Sequence, residues 1–194
     1  MSPIAIVIIV SSVLVLAGFL AWRQWYETYH FAVVDPGRLY RDGNRGPREF
    51  ATMLRRAKPK TVVCLIDDQE LVDPTKPEFA AEMDALKREG IGVERVPVKL
   101  GGWPTNDDVR RFLAVATDAD KQPVLVHCAQ GVRRTGMMVA AYQESVLGYD
   151  RERAKREIMR FGHSERSIGD VRRFIDVYDP VKREVTEELP QSNE

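Results

Sequence analysis

The chain has 194 residues, with 29 Lys and Arg against 29 Asp and Glu, a length that suits one globular domain. The net charge of zero gives no sign of a nucleic-acid partner, and we expect none. The two cysteines, Cys64 and Cys128, lie in unlike contexts, which excludes a disulfide framework and a multi-cysteine zinc site. The three histidines are far apart in sequence and give no ligand cluster for a metal.

The N-terminus is a long uncharged segment. No Asp, Glu, Lys or Arg occurs before Arg23, and the 20 residues from Pro3 to Trp22 would form a helix about 30 Å long. That length is roughly the hydrocarbon thickness of a bilayer. Trp22, Trp25 and Tyr26 beside Arg23 are typical of an interfacial belt. We therefore predict a transmembrane anchor over residues 1–26, with the membrane as a partner.

Two other interpretations of this segment stay open. A cleaved signal peptide normally has a basic start, which is missing here, although Ala17 and Ala21 could precede a cleavage site. A buried core helix would normally show a polar stripe. Arginines follow the segment at Arg23, Arg38 and Arg41 and none precedes it, so the positive-inside rule favours a single-pass protein with a cytoplasmic domain.

Behind the anchor, short apolar runs alternate with amphipathic stretches. This alternation predicts an α/β domain over residues 29–182, with a central, mostly parallel sheet flanked by helices. A polar tail over residues 183–194 should follow it. The predicted elements, in chain order, are extended segments at 31–34 and 38–41, a helix at 46–57, a strand at 61–66, a helix at 78–89, a strand at 91–98, a helix from about 105, a strand at 123–127, and helices at 135–147, 150–161 and 165–178.

The segment from Val124 to Gly136 carries the chemistry. A strand should end at His127 and a helix should begin near Thr135. Ligands bind at the carboxyl ends of strands in such sheets, and a helix N-terminus there suits a phosphate. Loop amides can converge on an anion, and the same field favours a thiolate at Cys128. Arg134 offers a planar fork for two phosphate oxygens.

This string, His127-Cys128-Ala-Gln-Gly-Val-Arg-Arg134-Thr135-Gly136, resembles the His-Cys-x5-Arg-Ser/Thr signature of the cysteine-dependent protein tyrosine phosphatase superfamily. A looser resemblance covers residues 37–142, where Gly37-Arg-Leu-Tyr-Arg41 looks like the entry strand of compact dual-specificity-type phosphatases. The nearest likeness is to the atypical plant- and fungal-type subgroup, which includes inositol pyrophosphate phosphatases.

The resemblance implies a role for each matching residue. Cys128 would attack phosphorus and form a phosphocysteine, Thr135 would assist the departure of the sulfur, and His127 would orient the loop. It implies no metal and no cofactor. It also makes a protective disulfide between Cys64 and an oxidised Cys128 conceivable. The residues implied to bind the substrate phosphate are Ala129, Gln130, Gly131, Val132, Arg133 and Arg134.

One expected group is missing. The superfamily usually places an Asp general acid about thirty residues before the cysteine, but residues 96–105 contain no carboxylate. Trp103-Pro104 resembles the Trp-Pro-Asp loop of the tyrosine-specific branch, with Thr105 in place of the Asp. Asp107 is our candidate general acid; as an alternative, it and Asp108 are ordinary charges in a first helical turn. Other candidates are Asp67 and Asp68, which follow a strand.

The missing acid bears on the substrate. A poor leaving group such as a serine alkoxide needs proton donation, whereas a tyrosine phenol needs less and a phosphate leaving from an anhydride needs least. We therefore predict a phosphatase that hydrolyses phosphate monoesters on a phosphorylated protein or small molecule, of the phosphotyrosine or dual-specificity type. The alternative substrates are inositol polyphosphates, inositol pyrophosphates and phosphoinositides.

Two further functions compete with hydrolysis. Arg133 lies at Cys-x4-Arg spacing, which is typical of rhodanese-like sulfur-transfer loops, although the complete string favours the longer loop. A phosphate-binding module with little turnover would also keep Cys128 and Arg134. Lys99 and Arg133 could widen the positive rim and favour a highly charged substrate.

Overall fold

A computed structural model describes residues 2–28, 30–44, 46–162 and 165–185 of the chain. Helices and strands alternate over most of it, as predicted. The helices are α1 (Pro3–Thr28), α2 (Pro47–Ala57), α3 (Asp68–Leu71), α4 (Pro77–Glu89), α5 (Asn106–Thr117), α6 (Arg133–Ser145), α7 (Arg151–Ile158) and α8 (Glu165–Val177). The strands are β1 (Ala32–Asp35), β2 (Leu39–Gly43), β3 (Thr61–Cys64), β4 (Gly92–Arg95), β5 (Val124–Cys128), β6 (Tyr178–Asp179) and β7 (Glu184–Val185).

The main sheet has five strands in the order β1-β2-β5-β3-β4. Only the edge pair β1 and β2 is antiparallel, and the other neighbours run parallel, which confirms the predicted fold class. In the register of the central strand, Gly43 lies opposite Cys128 and Cys64 lies opposite His127. The carboxyl ends of β2, β3 and β5 therefore meet at one edge of the sheet.

Helices cover both faces of the sheet, which explains the uninterrupted apolar runs of β3 and β5. Successive side chains point to opposite faces, so Val124 and Val126 join one core and Leu125 joins the other. The larger core contains buried side chains from α5, α6, α7 and α8, and the smaller contains Phe50 and Met53 from α2 with Leu86 from α4. This packing holds the edge formed by β2, β3 and β5 between two layers of helices.

Some elements differ from the sequence predictions. Helix α6 begins at Arg133, two residues before the predicted start. The single turn α3 was not predicted, although Asp67 and Glu70 close a capping box around it. Residues 184–185, which we assigned to the polar tail, pair with β6. His163 and residues 186–194 lie outside the described residues.

Helix α1 contains one candidate membrane span, Pro3–Arg23, with a mean hydropathy of 2.9. Its most apolar window is not buried against the domain. By length and composition this helix could cross a bilayer, and an N-terminal signal sequence satisfies the same criteria. The side chains of Trp25 and Tyr26, predicted to form the interfacial belt, lie outside the described residues.

Glu144 is a buried carboxyl group on α6. Its side chain is 7% exposed, and its Oε1 atom has no hydrogen-bond partner among the described residues. Burial raises the pKa of Glu144 to about 7, although Arg151 lowers it in part. The folded state therefore binds a proton more tightly than the unfolded chain does, and stability should fall as pH rises from about 4.5 through 7.

We expect Glu144→Gln to stabilise the protein at pH 8, by on the order of 1–3 kcal/mol, and to leave it nearly unchanged at pH 4.5. The neutral amide keeps the shape of the side chain and removes the cost of ionising it inside the protein. Denaturant unfolding of both proteins at the two pH values measures the difference. The exposed Glu152→Gln is the matched control, and an equal effect of the two substitutions at pH 8 would contradict the prediction.

Candidate active site

Two glycines let the loop after β5 pass close to β2. Gly131 has a φ of +71°, and a Cβ there would lie 2.6 Å from the carbonyl carbon of Asp42. A Cβ on Gly43 would lie 2.3 Å from the carbonyl carbon of Gln130. Both contacts are to backbone atoms that cannot rotate away, so both positions require glycine. The loop can thus curl around Cys128 only because two backbones touch here.

Cys128 lies at the base of this loop. Its side chain is buried, and the Gly131 amide donates a hydrogen bond to Sγ over 3.2 Å. Burial alone would raise the pKa of the thiol, but Arg134, the Thr135 hydroxyl and the backbone amides of Thr135 and Gly131 hold that pKa below its usual value. The site therefore favours the nucleophilic thiolate.

Arg134 is held from behind by Glu70. The two side chains form a buried ion pair through both carboxylate oxygens, and Nη1 also donates to the Val98 carbonyl over 3.1 Å. Although burial opposes it, the hydrogen bond and charge of Arg134 lower the pKa of Glu70, which therefore remains an anion. The guanidinium is fixed beside the sulfur, where it can meet phosphate oxygens.

Glu70 is a functional residue that our sequence reasoning missed. The signal was present, because Asp67-x-x-Glu70 is a capping-box pattern directly after a buried strand. The pattern did not reveal the second role of this side chain. Glu70 accepts the Asp67 amide at Oε2 and binds Arg134 through both oxygens. Only the fold shows that the two roles coincide.

His127, which we predicted to orient the loop, lies in a buried network next to Cys128. Its Nε2 lies 2.9 Å from Glu82 Oε1, and Asn44 donates to the other oxygen of Glu82 over 2.6 Å. The ring packs edge-on against Phe50, with centroids 5.7 Å apart. Burial lowers the pKa of His127, but Glu82 and Cys64 raise it well above the ordinary value, so the ring carries a positive charge.

Cys64, Glu82 and His127 also have ligand atoms within 4.8 Å of one another. Their types and spacing could hold a metal ion, a grouping that sequence spacing did not reveal. However, Arg95 donates to Cys64 Sγ over 2.8 Å, and His127 Nε2 lies 2.9 Å from Glu82 Oε1, as in an ion pair. A second cation beside the sulfur would oppose a metal, so we assign this cluster to an ion-pair network.

Arg41 supports the loop through its backbone and was also missed from sequence. This fully buried side chain donates from Nη2 to the Gly131 carbonyl over 2.6 Å and lies over the Phe161 ring. Burial lowers its pKa to about 10, although the negative charges of the Cys128 thiolate and of Asp42 raise it in part. The guanidinium remains charged at neutral pH and adds positive potential behind the sulfur.

Arg133 does not direct its side chain toward the phosphate position. Its guanidinium donates to Asp170 over 2.6 Å and to the carbonyls of Gly102 and Gly101 over 2.8 and 2.6 Å. It therefore ties the segment before Trp103 to α8. The Arg133 amide remains part of the loop, but its charge does not widen the positive rim as the sequence suggested; Lys99 is exposed.

The candidate acids are occupied elsewhere in this structure. Asp107 is 88% exposed and pairs with Arg110 over 2.5 Å, while Asp108 accepts hydrogen bonds from both the amide and the hydroxyl of Thr105. Asp67 caps α3, and Asp68 pairs with Arg95 over 2.8 Å. The assignment of Asp107 as general acid thus stays a prediction.

Comparison with known proteins identifies the family. Residues 39–176 match the family model described as "DSP-PTPase phosphatase fused to NAD+ Kinase". This chain belongs to the cysteine-dependent, dual-specificity-type phosphatases. The predicted superfamily and its atypical branch are confirmed, and so is the prediction that the protein is a phosphatase enzyme.

Several curated relatives are similar to this phosphatase. Inositol diphosphatase DSP4 of Arabidopsis thaliana is 28% identical over 77% of this chain and 72% of its own length. Dual specificity protein phosphatase TpbA of Pseudomonas aeruginosa is 30% identical over 66% of this chain and 52% of its own. Probable NAD kinase 2 of Oryza sativa is 31% identical over 67% of this chain, which covers only 14% of that protein.

Solved structures agree on the fold. The catalytic domain of the PP-IP phosphatase SIW14 from S. cerevisiae has a TM-score of 0.64 and 23% identity, over 79% of this phosphatase and 89% of that chain. The TpbA structure has a TM-score of 0.62 and 25% identity, over 79% and 88%. At its lower identity, the SIW14 likeness shows the fold alone.

We expect Glu70→Gln to lower kcat/KM about 10- to 100-fold, because Arg134 loses the anion that fixes its position. Steady-state kinetics on p-nitrophenyl phosphate measures this, and Glu70→Asp should recover part of the loss. A thermal-unfolding curve run in parallel shows whether the variants remain folded.

The control is Asp84→Asn, which removes an exposed carboxylate from α4 and should leave kcat/KM within about twofold. A folded Glu70→Gln protein with unchanged kinetics would contradict the assigned positioning role.

Proposed function

We propose that this phosphatase hydrolyses phosphate monoesters of the phosphotyrosine or dual-specificity type through a phosphocysteine on Cys128. The main support for the proposal is the environment of Cys128 Sγ. Cys128 is a buried thiol with a lowered pKa, and its Sγ accepts a hydrogen bond from the Gly131 amide over 3.2 Å. It lies beside the guanidinium of Arg134, which Glu70 holds in place. This arrangement suits attack on a dianionic phosphate.

The chemistry proceeds in two steps. Cys128 Sγ attacks phosphorus, so that an S–P bond forms while the bond between phosphorus and the leaving oxygen breaks. Water then attacks the phosphocysteine, releasing inorganic phosphate and restoring the thiolate. Arg134 and the amides of residues 129–134 hold the phosphoryl oxygens in both steps, and Thr135 stabilises the departing sulfur.

The leaving oxygen needs a proton in the first step, and we propose Asp107 as its donor. Because Asp107 is paired with Arg110 at the surface, the donor is not prearranged at the sulfur. The site therefore favours leaving groups that need little protonation, and a phenol needs less than an alkoxide. Phosphotyrosine fits this requirement better than phosphoserine does.

The charge of the loop supports a monoester over a polyphosphate. Between Cys128 and Arg134 the only ionisable side chain is that of Arg133, since Ala129, Gln130, Gly131 and Val132 are neutral. Arg133 is bound to Asp170 and to two backbone carbonyls, so its charge is largely committed. A substrate with many phosphates would find few additional cations along this loop.

Inositol pyrophosphates are the second candidate substrate class. The similarity to a protein named inositol diphosphatase supports it, and a phosphate leaving from an anhydride needs the least proton donation. Exposed Lys99 offers one cation near the Gly101–Gly102 segment.

We also propose that α1 is a retained anchor that holds the catalytic domain at a membrane, with the domain on the cytoplasmic side. The span Pro3–Arg23 has sufficient length and hydropathy, and arginines follow it but do not precede it. Recovery of the intact chain in membranes after carbonate washing supports an anchor, whereas recovery of a soluble protein starting after residue 21 indicates a signal sequence.

We expect kcat/KM for phosphotyrosine peptides to exceed that for phosphoserine peptides of the same sequence by about 100-fold. The panel also contains an inositol pyrophosphate and thiosulfate. Cys128→Ser should abolish turnover while leaving the fold intact.

Each result of the panel has a definite meaning. Highest activity on the inositol pyrophosphate would replace the phosphotyrosine proposal with the second candidate, and a phosphoserine preference would contradict both. Turnover of thiosulfate alone would indicate sulfur transfer. If no phosphate compound is turned over, the protein would instead be a phosphate-binding module.

We expect Asp107→Asn to lower kcat about 100-fold on an alkyl phosphate and only a few-fold on p-nitrophenyl phosphate, whose leaving group needs no proton. Asp84→Asn, which removes an exposed carboxylate from α4, is the matched control. Equal and small effects of both substitutions on both substrates would exclude Asp107 as the general acid.

A further inference from the structure

Helix α2 and the turn after it are strongly basic in a chain whose net charge is zero. Residues 47–60 contain five cations and a single acid, Glu49. We call the exposed cations the basic face; they are Arg48, Arg55, Arg56, Lys58 and Lys60.

None of the five cations forms an ion pair with an acid among the residues that the structure describes. Among the described residues, Arg55 donates to the Thr52 hydroxyl over 2.9 Å. By contrast, the cations of residues 151–160 alternate with two acids, and two of them are paired, since Lys155 meets Glu152 and Arg160 meets Glu157. The basic face is therefore an uncompensated patch of positive charge rather than an ordinary salt-bridged helix surface.

The basic face lies next to the end of the apolar helix. Helix α1 ends at Thr28, and Phe31 follows it three residues later. The guanidinium of Arg56 lies over the Phe31 ring, 5.6 Å from its centroid, and α1 contacts α2. This contact between the helices, rather than closeness in sequence, places the cations near the end of the span, where lipid headgroups would be.

We propose that the basic face binds anionic phospholipid headgroups of the membrane that holds α1. This inference rests on the proposed anchor and adds a second contact between the domain and the bilayer. The cytoplasmic leaflet carries negative surface potential, and cations beside a span are each attracted to it by an interaction that salt weakens. Two contacts would fix the orientation of the domain, which a single anchor cannot do.

Helix α2 is suited to this contact because its apolar face is buried and its basic face is exposed. Phe50, Met53 and Ala57 face the core, while the cations face outward. Replacing the cations with glutamine should therefore leave the packing of α2 and the catalytic loop unchanged.

The test uses the full chain reconstituted in lipid nanodiscs of phosphatidylcholine, with or without phosphatidylglycerol. A photo-reactive residue placed by Thr52→benzoylphenylalanine reports lipid contact at α2, and Glu152→benzoylphenylalanine reports it at α7. Mass spectrometry counts lipid adducts at each site. The variant carries Arg48→Gln, Arg55→Gln, Arg56→Gln and Lys58→Gln, and its control of equal charge carries Arg151→Gln, Arg153→Gln, Arg156→Gln and Arg160→Gln.

We expect phosphatidylglycerol to raise the adduct yield at α2 about tenfold, and we expect high salt or the α2 variant, but not the α7 control, to remove that increase. A yield at α2 that does not respond to lipid charge, or that responds equally in the two variants, overturns the proposal.

The anchor and the phosphatase activity are tested by separate measurements. Co-elution with neutral nanodiscs reports the anchor. If the chain does not bind neutral nanodiscs, the anchor is excluded. Binding to anionic nanodiscs that the α2 variant loses would still support lipid binding by the basic face. No binding to anionic nanodiscs would overturn it. Hydrolysis of p-nitrophenyl phosphate, measured on the same samples, reports the catalytic site.

Discussion

The catalytic site depends on keeping buried charges balanced around one sulfur. A thiolate at Cys128 needs cations near it, and Arg41, His127 and Arg134 are all buried beside or behind the loop. Each buried cation would be costly without a partner. Glu70 pairs with Arg134 and Glu82 pairs with His127, while Arg41 binds the carbonyl of the loop itself. Several helices and strands must therefore assemble before the nucleophile has its low pKa.

The same balance of buried charges bears on the substrate that we propose. Arg133 is committed to holding the Gly101–Gly102 segment against α8, and Asp108 is committed to the cap of α5. The loop thus offers to the substrate its amides and the guanidinium of Arg134, which Glu70 holds beside the sulfur. Such a loop suits one phosphoryl group and gives a polyphosphate few further contacts, which supports our proposal that the leaving group decides the choice of substrate.

Local signals allowed much of the fold and the centre of the site to be predicted. The strand ending at His127 and the helix after it follow from an apolar run and the Gly-Val-Arg-Arg-Thr continuation, and the family resemblance drawn from this string is confirmed. Glu70 and Glu82 could not be assigned in this way. They lie more than forty residues before their partners, and each also satisfies ordinary helical patterns, so nothing local separates a partner of a catalytic residue from a surface acid.

The sequence by itself determined the alternation of strands and helices, the apolar N-terminal segment and the loop that carries both Cys128 and Arg134, because these depend on contacts between near neighbours. The tertiary structure decided which charges meet. The parallel register that sets Gly43 against Cys128 and Cys64 against His127 brings β2, β3 and β5 to one edge. Distant carboxylates then become partners of the buried cations, since pairing across an edge depends on topology rather than on spacing along the chain.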